Sequence, residues 1–246
     1  MFIAFLLAIF MASSPASADT FWQKLHWTTP DGVTLVGLYH PANRPGATTW
    51  VLLHGLGSVK EEWDAFSRQV AKQGTGVFVY DARGHQESNR LANGQTITYQ
   101  DWKTAGPGTA WAAMPGDLLS AIQLLHKQYG LSEKNIAIGG ASLGANVALL
   151  YASEHPEVPG LILLSAGVEY AGLNIERAWH RSKFQHVFAA ASPDDHYAYT
   201  SLRFLVRERP DLDLSVTEGP GSAHGVNMFK DPVFTKKVLA WTEQVK

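Results

Sequence analysis

Three residue types that together support nucleophilic catalysis occur in the second half of the sequence. Ser142 lies in Gly140-Ala-Ser-Leu-Gly144, Asp194 and Asp195 follow the apolar run "VFAAA", and His224 lies in the glycine-rich segment "GPGSAHG". A serine hydroxyl is a weak nucleophile near neutral pH and needs a base, which in turn needs an acid to orient it. The order serine, aspartate, histidine is typical of an acyl-transfer site in which the serine attacks a carbonyl carbon.

The surroundings of Ser142 predict a sharp turn between a strand and a helix. The apolar run "NIAIGGA" precedes the serine, and "LGANVALLYASEH" follows with helical spacing. At such a turn the residues two before and two after the nucleophile must be small, and Gly140 and Gly144 hold those places. The Leu143 N–H would point into the same space at the helix N-terminus. The alternative interpretation is a glycine-rich turn that carries an incidental serine.

The acid and the base are expected at the ends of later strands. Asp194 and Asp195 both follow the predicted strand "HVFAAA", and either could instead cap a turn or a helix. His224 precedes the last predicted helix, a place that none of the other nine histidines occupies. A solvent-exposed loop histidine is the alternative interpretation of His224.

The elements that must position these residues follow an alternating pattern. Apolar runs such as "TTWVLL", "GVFVY" and "GLILLSA" alternate with amphipathic segments such as "EEWDAFSRQVAKQG" and "PGDLLSAIQLLHKQYG". This pattern predicts an α/β fold with a mostly parallel sheet and helices on both faces. The stretches around Asp31-Gly32 predict an antiparallel N-terminal hairpin. Only about twenty residues separate Ala166 from His186, too few for a large helical lid.

Composition and charge exclude several other classes of function. The 246 residues are 46% hydrophobic, carry a formal net charge of −2 and contain no cysteine. A cysteine nucleophile, a disulfide framework and a thiolate metal site are therefore excluded. Without long runs of charge, we expect neither a nucleic-acid partner nor an anionic-membrane partner. No phosphate-binding loop, dinucleotide fingerprint or HExxH pattern is present, so we expect neither a cofactor nor a metal.

The N-terminus is typical of a cleaved secretory signal. Residues 1–18 carry no charged side chain, and the apolar run from Phe2 to Met11 is too short to span a bilayer as a helix. Ala16-Ser-Ala18 offers the small residues that a signal peptidase accepts. We therefore expect a secreted or periplasmic protein whose mature part, 19–246, is a single domain without stable membrane insertion. The missing Lys or Arg leaves an uncleaved anchor or a wrongly assigned start as alternatives.

Five segments resemble the α/β-hydrolase superfamily over nearly all of residues 24–246. They are "LLHGLG" (52–57), "YDARGHQES" (80–88), "GGASLGANVAL", "ASPDDHY" and "GSAHG". Within the superfamily the chain is most similar to small lidless serine esterases related to dienelactone hydrolases and to serine aminopeptidase-like hydrolases.

The resemblance implies roles for individual residues. The catalytic triad falls on Ser142, Asp195 and His224, and Asp195 is favoured because relatives carry the acid just before a pair similar to His196-Tyr197. The N–H groups of Leu56 and Leu143 would form the oxyanion hole, a site that stabilises a developing negative charge. His54 is expected to shape the loop, not to take part in the reaction.

Two further features bear on the loops around the site. Gln86 replaces the glycine that usually follows the histidine of the "DARGH" segment, which puts the conformation of that loop in question. The aromatic residues Tyr99, Trp102 and Trp111 lie in an irregular segment that could overhang the pocket and bind an apolar substrate. Packing in the core is the commoner use of such residues.

Together these features predict a secreted serine hydrolase that cleaves a small carboxylic ester through an acyl-enzyme intermediate. The same triad could act on an amide, a thioester or a peptide bond, because acyl transfers share one kind of site. A catalytically silent hydrolase-fold binding protein is the alternative from another class. The sequence leaves the oligomeric state and the identity of the substrate open.

Overall fold

Eleven strands lie in the part of the chain that the computed structural model describes, residues 21–245. They are β1 (Gln23–Thr28), β2 (Val33–His40), β3 (Thr49–Leu53), β4 (Gly76–Tyr80), β5 (Arg90–Leu91), β6 (Ile136–Ala141), β7 (Leu161–Leu164), β8 (Glu169–Tyr170), β9 (Leu173–Asn174), β10 (Val187–Ala191) and β11 (Leu214–Glu218). β8 and β9 pair with each other as a separate hairpin, and the other nine strands form one sheet.

The large sheet is mostly parallel, as the alternating sequence pattern predicts. Its strand order is β1-β2-β4-β3-β6-β7-β10-β11, and β5 pairs with β2. All neighbours from β4 to β11 in this order are parallel, whereas β1 and β4 are both antiparallel to β2. The predicted N-terminal hairpin is confirmed: Gly32 has a φ of 86° and donates its N–H to the carbonyl of Thr29 at 2.9 Å.

Helices cover both faces of the sheet. The six α-helices of residues 21–245 are α1 (Asp64–Ala71), α2 (Met114–Tyr129), α3 (Leu143–Glu154), α4 (Glu176–Arg181), α5 (His196–Glu208) and α6 (Pro232–Thr242). α1 and α6 pack on one face, and α2, α3, α4 and α5 contribute to the core on the other.

The central strand β3 shows why the apolar runs are continuous and do not alternate with polar residues. Trp50 and Leu52 pack in the core under α1 and α6, whereas Val51 and Leu53 pack in the opposite core. All four side chains are buried, because a strand with helices on both faces has no solvated side. Each such side chain contributes about 1.5–3 kcal/mol through burial, so β3 holds the two layers together.

The parallel topology brings the predicted site residues to one edge of the sheet. β3, β6, β10 and β11 end shortly before Leu56, Ser142, Asp195 and His224, respectively. Because parallel strands share one carboxyl edge, the four segments lie along the same rim.

The described chain contains no large lid, in agreement with the prediction. Between β7 and β10 it holds only the β8–β9 hairpin and the six-residue helix α4. No helix within residues 21–245 has the length and apolar character that crossing a membrane would require. The predicted signal sequence, 1–18, lies outside the described residues.

Sequence patterning missed α5 and β11. Strand β11 is a partly exposed edge strand, so it lacks the apolar run that marked the central strands. Helix α5 buries Ala198, Ser201, Leu202 and Leu205 at helical spacing, but two of these four residues are small and the others stand among charged and polar residues.

Candidate active site

Ser142 occupies a strained turn between β6 and α3. Its φ of 54° and ψ of −121° lie in a region that residues other than glycine rarely adopt. A Cβ atom on Gly140 would lie 2.2 Å from the carbonyl oxygen of Gly144, and one on Gly144 would lie 2.5 Å from that of Leu53. The two glycines are therefore required for β6, α3 and β3 to approach one another.

His224 is paired with Asp195. Nδ1 of His224 lies 2.6 Å from Oδ2 of Asp195, whose side chain is 14% exposed. A carboxylate only accepts hydrogen bonds, so Nδ1 carries the proton and Nε2 is left as a base. Asp194 has an exposed side chain, and its N–H donates to the carbonyl of Gly221 at 3.2 Å. The geometry thus pairs His224 with the aspartate that the family resemblance favoured.

A second serine, Ser165, holds the loop of His224 against the turn that carries Ser142. Ser165 follows β7 with a φ of 52°, and its Oγ accepts the N–H of Gly225 at 2.9 Å. A Cβ atom on Gly225 would lie 3.1 Å from that of Ala141, the residue before Ser142. His224 is thereby fixed beside the turn that carries Ser142.

The structure shows one of the two hydrogen bonds that a catalytic triad would need. Among the hydrogen bonds of residues 21–245, none joins Ser142 Oγ to His224 Nε2. The Ser142 side chain instead lies close to the Tyr170 hydroxyl, without a geometric hydrogen bond between the two groups. Catalytic hydrogen bonds are often long in ligand-free structures and tighten on substrate binding.

Two backbone N–H groups beside Ser142 have no partner within the described residues. They belong to Leu56 and Leu143, the residues expected to form an oxyanion hole. The amides on either side of Leu56 are occupied: Gly55 donates to Oε1 of Glu62 at 3.0 Å, and Gly57 donates to Nε2 of His85 at 3.1 Å. The loop is therefore held by its neighbouring amides while the Leu56 N–H remains available to a ligand.

Two buried histidines keep this loop in shape as neutral groups. His54 donates from Nδ1 to the carbonyl of Gly55 at 2.7 Å and accepts the Ala82 N–H at Nε2, at 2.8 Å. Burial, together with the nearby His85, lowers the pKa of His54 to about 3. Burial also lowers the pKa of His85, whose Nδ1 donates to the carbonyl of Arg83. The expectation that His54 shapes the loop agrees with these contacts.

Glu62 links the loop to the histidine side of the site. Its half-buried carboxylate accepts hydrogen bonds from the Gly55 N–H and the Ser58 hydroxyl. Burial raises the pKa of Glu62, the hydrogen bonds from Ser58 and Gly55 partly offset that effect, and a protonated His224 would lower the pKa further.

Buried ion pairs anchor the loop after β4. Lys60, only 2% exposed, donates from Nζ to Asp81 at 2.8 Å and to Glu87 at 2.8 Å. Arg83 donates from Nε to Asp117 at 2.6 Å. Such pairs stabilise little once desolvation is counted, but breaking one leaves a buried charge without its partner.

Gln86 has a backbone conformation that glycine adopts more readily than other residues. Its φ is 36°, a left-handed value that costs a residue with a side chain about 1–2 kcal/mol. The side chain is exposed, so the strain is confined to the backbone. Gln86 therefore holds this turn at an energetic cost that a glycine would not have.

Tyr99, Trp102 and Trp111 pack against the core and against the loop after β4. Trp111 is buried in the core and meets Trp102 edge to face, with ring centres 4.7 Å apart. Trp102 packs against Gly84, and Tyr99 stacks on His85 with ring centres 4.1 Å apart. This packing favours the core interpretation of these residues over a role in substrate binding.

Tyr170 is a residue of the site that sequence reasoning missed. It lies on the two-residue strand β8, and its pKa is raised mainly by burial. No local motif surrounds it, so the only available signal was its position after β7, whose carboxyl end adjoins that of β6.

One group of potential metal ligands occurs within residues 21–245. Its members are Glu133, His155 and Glu157, whose ligand atoms lie within 4.8 Å of one another and are partly exposed. Glu133 precedes β6, so the group lies at the amino edge of the sheet, away from Ser142.

The sequence profile of the family described as serine aminopeptidase, S33, matches residues 46–217. The chain belongs to this family. The match includes the loop of Leu56, the strained turn and Asp195, and it ends before His224. No protein with curated function matches the sequence.

Solved structures support the α/β-hydrolase fold expected for a member of the S33 family. The 2,6-dihydroxy-pseudo-oxynicotine hydrolase has a TM-score of 0.72 at 16% identity, over 91% of this chain and 68% of its own. An esterase of Pyrococcus furiosus has a TM-score of 0.68 at 19% identity, over 95% and 94%. The dienelactone hydrolase of Anabaena variabilis has a TM-score of 0.65 at 18% identity, over 92% and 97%. The protein is an α/β-hydrolase, as its sequence motifs suggested.

The neutral state of His54 predicts a specific dependence of stability on pH. The unfolded chain protonates this histidine near pH 6.5, whereas the folded chain keeps it neutral down to about pH 3. Between about pH 6.5 and 3 the unfolded state therefore binds more protons than the folded state. As the pH is lowered through this range, the free energy of unfolding decreases by up to about 1.4 kcal/mol per pH unit. His54→Gln should flatten the curve between about pH 6.5 and 4 in denaturant titrations.

The exposed His126 provides the matched control. His126→Gln should retain the wild-type slope. A His54→Gln variant with that same slope would show that His54 is not held neutral in the folded protein.

Proposed function

We propose that the protein is a serine hydrolase that cleaves carboxylic esters of small molecules through an acyl-enzyme. The observation that carries this proposal is the 2.6 Å hydrogen bond between His224 and Asp195 at the sheet edge that also carries the strained Ser142. The S33 family membership supports hydrolysis as the reaction.

In the first half-reaction Ser142 Oγ attacks the ester carbonyl carbon. Nε2 of His224 takes the hydroxyl proton, and the imidazolium then gives it to the departing alcohol. Asp195 keeps the ring in the productive tautomer and stabilises its charged form.

The unpartnered N–H groups of Leu56 and Leu143 bind the oxygen that becomes negative in the tetrahedral intermediate. Loss of one such donor typically costs about 2.7–4 kcal/mol of transition-state stabilisation. In the second half-reaction His224 activates a water molecule against the acyl-enzyme by the same proton transfers in reverse order.

Cleavage of an amide or peptide bond is the second candidate function. The description of the matched family as a serine aminopeptidase favours it, whereas an esterase and a dienelactone hydrolase are among the structures of similar fold. The small β8–β9 hairpin leaves the site without a large lid, which is consistent with a small soluble substrate of either kind. Paired assays on acyl esters and aminoacyl amides distinguish the two.

We also propose that residues 1–18 direct export and are removed after Ala18. Mass spectrometry of protein recovered outside the cytoplasm should show a mature chain that begins at Asp19. Recovery of the full chain with Met1 in a membrane fraction would contradict cleavage and support an anchor.

Replacement of the nucleophile provides the direct test of the proposed reaction. Ser142→Ala should abolish labelling by a fluorophosphonate probe and lower ester hydrolysis by at least about a thousandfold, because no other group can form the acyl-enzyme. Ser222→Ala is the matched control, since Ser222 lies in the same loop as His224 with an exposed side chain. A folded wild type that is neither labelled nor active on esters or amides would instead support the binding-protein alternative.

The neighbouring residues Asp194 and Asp195 allow a direct test of which aspartate orients His224. Asp195→Asn should lower kcat/KM by roughly a thousandfold or more, because an amide side chain in place of the carboxylate favours the wrong tautomer of His224. Asp194→Asn should retain near wild-type kcat/KM, since that side chain is exposed. Equal effects of the two substitutions would exclude the assigned role of Asp195.

A further inference from the structure

A short hairpin after β7 places a tyrosine beside Ser142. Strands β8 and β9 are joined by Ala171 and Gly172, with φ values of 50° and 78°. Positive φ at both central residues is the requirement of a tight two-residue hairpin turn. The turn reverses the chain directly after Tyr170 and fixes the direction of its strand.

The hairpin is attached to the helices that carry the nucleophile turn and the acid. Asn146 of α3 is fully buried; it donates to the carbonyl of Leu173 at 2.8 Å and accepts the Gly167 N–H at 3.2 Å. From α5, the Tyr197 hydroxyl donates to the carbonyl of Glu169 at 2.8 Å and lies 3.0 Å from its N–H. Tyr170 is therefore held rigidly relative to both Ser142 and Asp195.

The ring and the hydroxyl of Tyr170 have different surroundings. A Cβ atom on Gly167 would lie 2.7 Å from Cε2 of Tyr170, so the ring packs closely over this glycine. The hydroxyl lies close to the Ser142 side chain, and its one hydrogen-bond partner among the described residues is the carbonyl of Ser165, at a long 3.3 Å. Because burial raises its pKa, the phenol keeps its proton and remains a donor.

The strand order decides which side of a bound ester Tyr170 would face. Leu56 follows β3, on one side of the nucleophile strand β6, and Tyr170 follows β7, on the other. The carbonyl oxygen of the substrate would point toward Leu56, so Tyr170 lies across the reacting carbon from the oxyanion hole. The acid strand β10 adjoins β7, which places Tyr170 on the side of Asp195 and His224.

We propose that Tyr170 is a further catalytic residue, whose hydroxyl donates a hydrogen bond to the leaving-group oxygen of the substrate, opposite the Leu56 side of Ser142. This inference rests on the proposed function.

The step in which Tyr170 takes part is the collapse of the tetrahedral intermediate. The bond between the reacting carbon and the leaving oxygen breaks, its electron pair passes to that oxygen, and the C=O bond forms again from the oxyanion. Nε2–H of His224 supplies the proton that makes the alcohol. Tyr170 keeps its own proton and stabilises the charge that builds up on the leaving oxygen.

Two acetate esters with different leaving groups test this role. Tyr170→Phe keeps the ring and removes only the hydroxyl. It should lower kcat/KM about tenfold or more for an alkyl acetate, whose alkoxide is a poor leaving group, and by less than about threefold for p-nitrophenyl acetate. Both esters form the same acetyl-enzyme, and kcat/KM reports only the steps up to acylation. The change in the ratio of the two rates is therefore the deciding measurement.

Tyr129→Phe is the matched control, because it removes a hydroxyl at the end of α2 that donates to Gln23, outside the site and the hairpin. This control should change kcat/KM for the two esters by the same factor. If Tyr170→Phe lowers kcat/KM equally for the two esters, or lowers it for neither, the catalytic role is overturned.

Fluorophosphonate labelling separates failure of this inference from failure of the proposed function. Tyr170→Phe should be labelled at the wild-type rate, since fluoride leaves without help. A loss of labelling in this variant would also overturn the inference, because the hydroxyl would then act on Ser142 itself. A wild type that resists labelling and hydrolyses neither ester would contradict the proposed function.

Discussion

The close approach of β6, α3 and β3 is the constraint on which the rest of the site depends. Gly140 and Gly144 have almost no free space at their Cα atoms, where a methyl group would overlap backbone atoms of α3 and β3. This contact forces the turn at Ser142 into a strained conformation. It also fixes the helix N-terminus, and therefore the Leu143 N–H, against the loop that follows β3.

Buried neutral side chains and buried charged side chains together position the loop after β3. His54 and His85 are buried and neutral, and each forms hydrogen bonds with one backbone carbonyl and one backbone amide. Lys60 and Asp81 are buried and paired, which ties the same loop to the end of β4. Desolvation lowers the pKa of the histidines, whereas the Lys60 ammonium keeps its charge because carboxylates surround it. The result is one free amide, on Leu56, between two that are occupied.

On the side of Ser142 away from Leu56, the site is formed by the segment after β7 and the short β8–β9 hairpin. Two residues with positive φ, Ser165 and Ala171, bend the chain after β7 so that it returns over the site as a hairpin. Buried Asn146 satisfies two backbone groups of this segment.

The sequence by itself determined the features that depend on neighbouring residues. The glycines around Ser142, the Asp31-Gly32 turn and the central strands act through local sterics and periodicity, which can be read within a few residues. The residue types alone left Asp194 and Asp195 equivalent, and the family resemblance favoured Asp195.

The tertiary structure decided the features that join distant parts of the chain. The bond between Asp195 and His224 spans 29 residues, and that between Gly57 and His85 spans 28. The nearness of Tyr170 to Ser142 and the burial of Trp111 depend equally on which strands adjoin in the sheet. Such contacts arise from strand order and from the packing of helices on its faces, which no local pattern records.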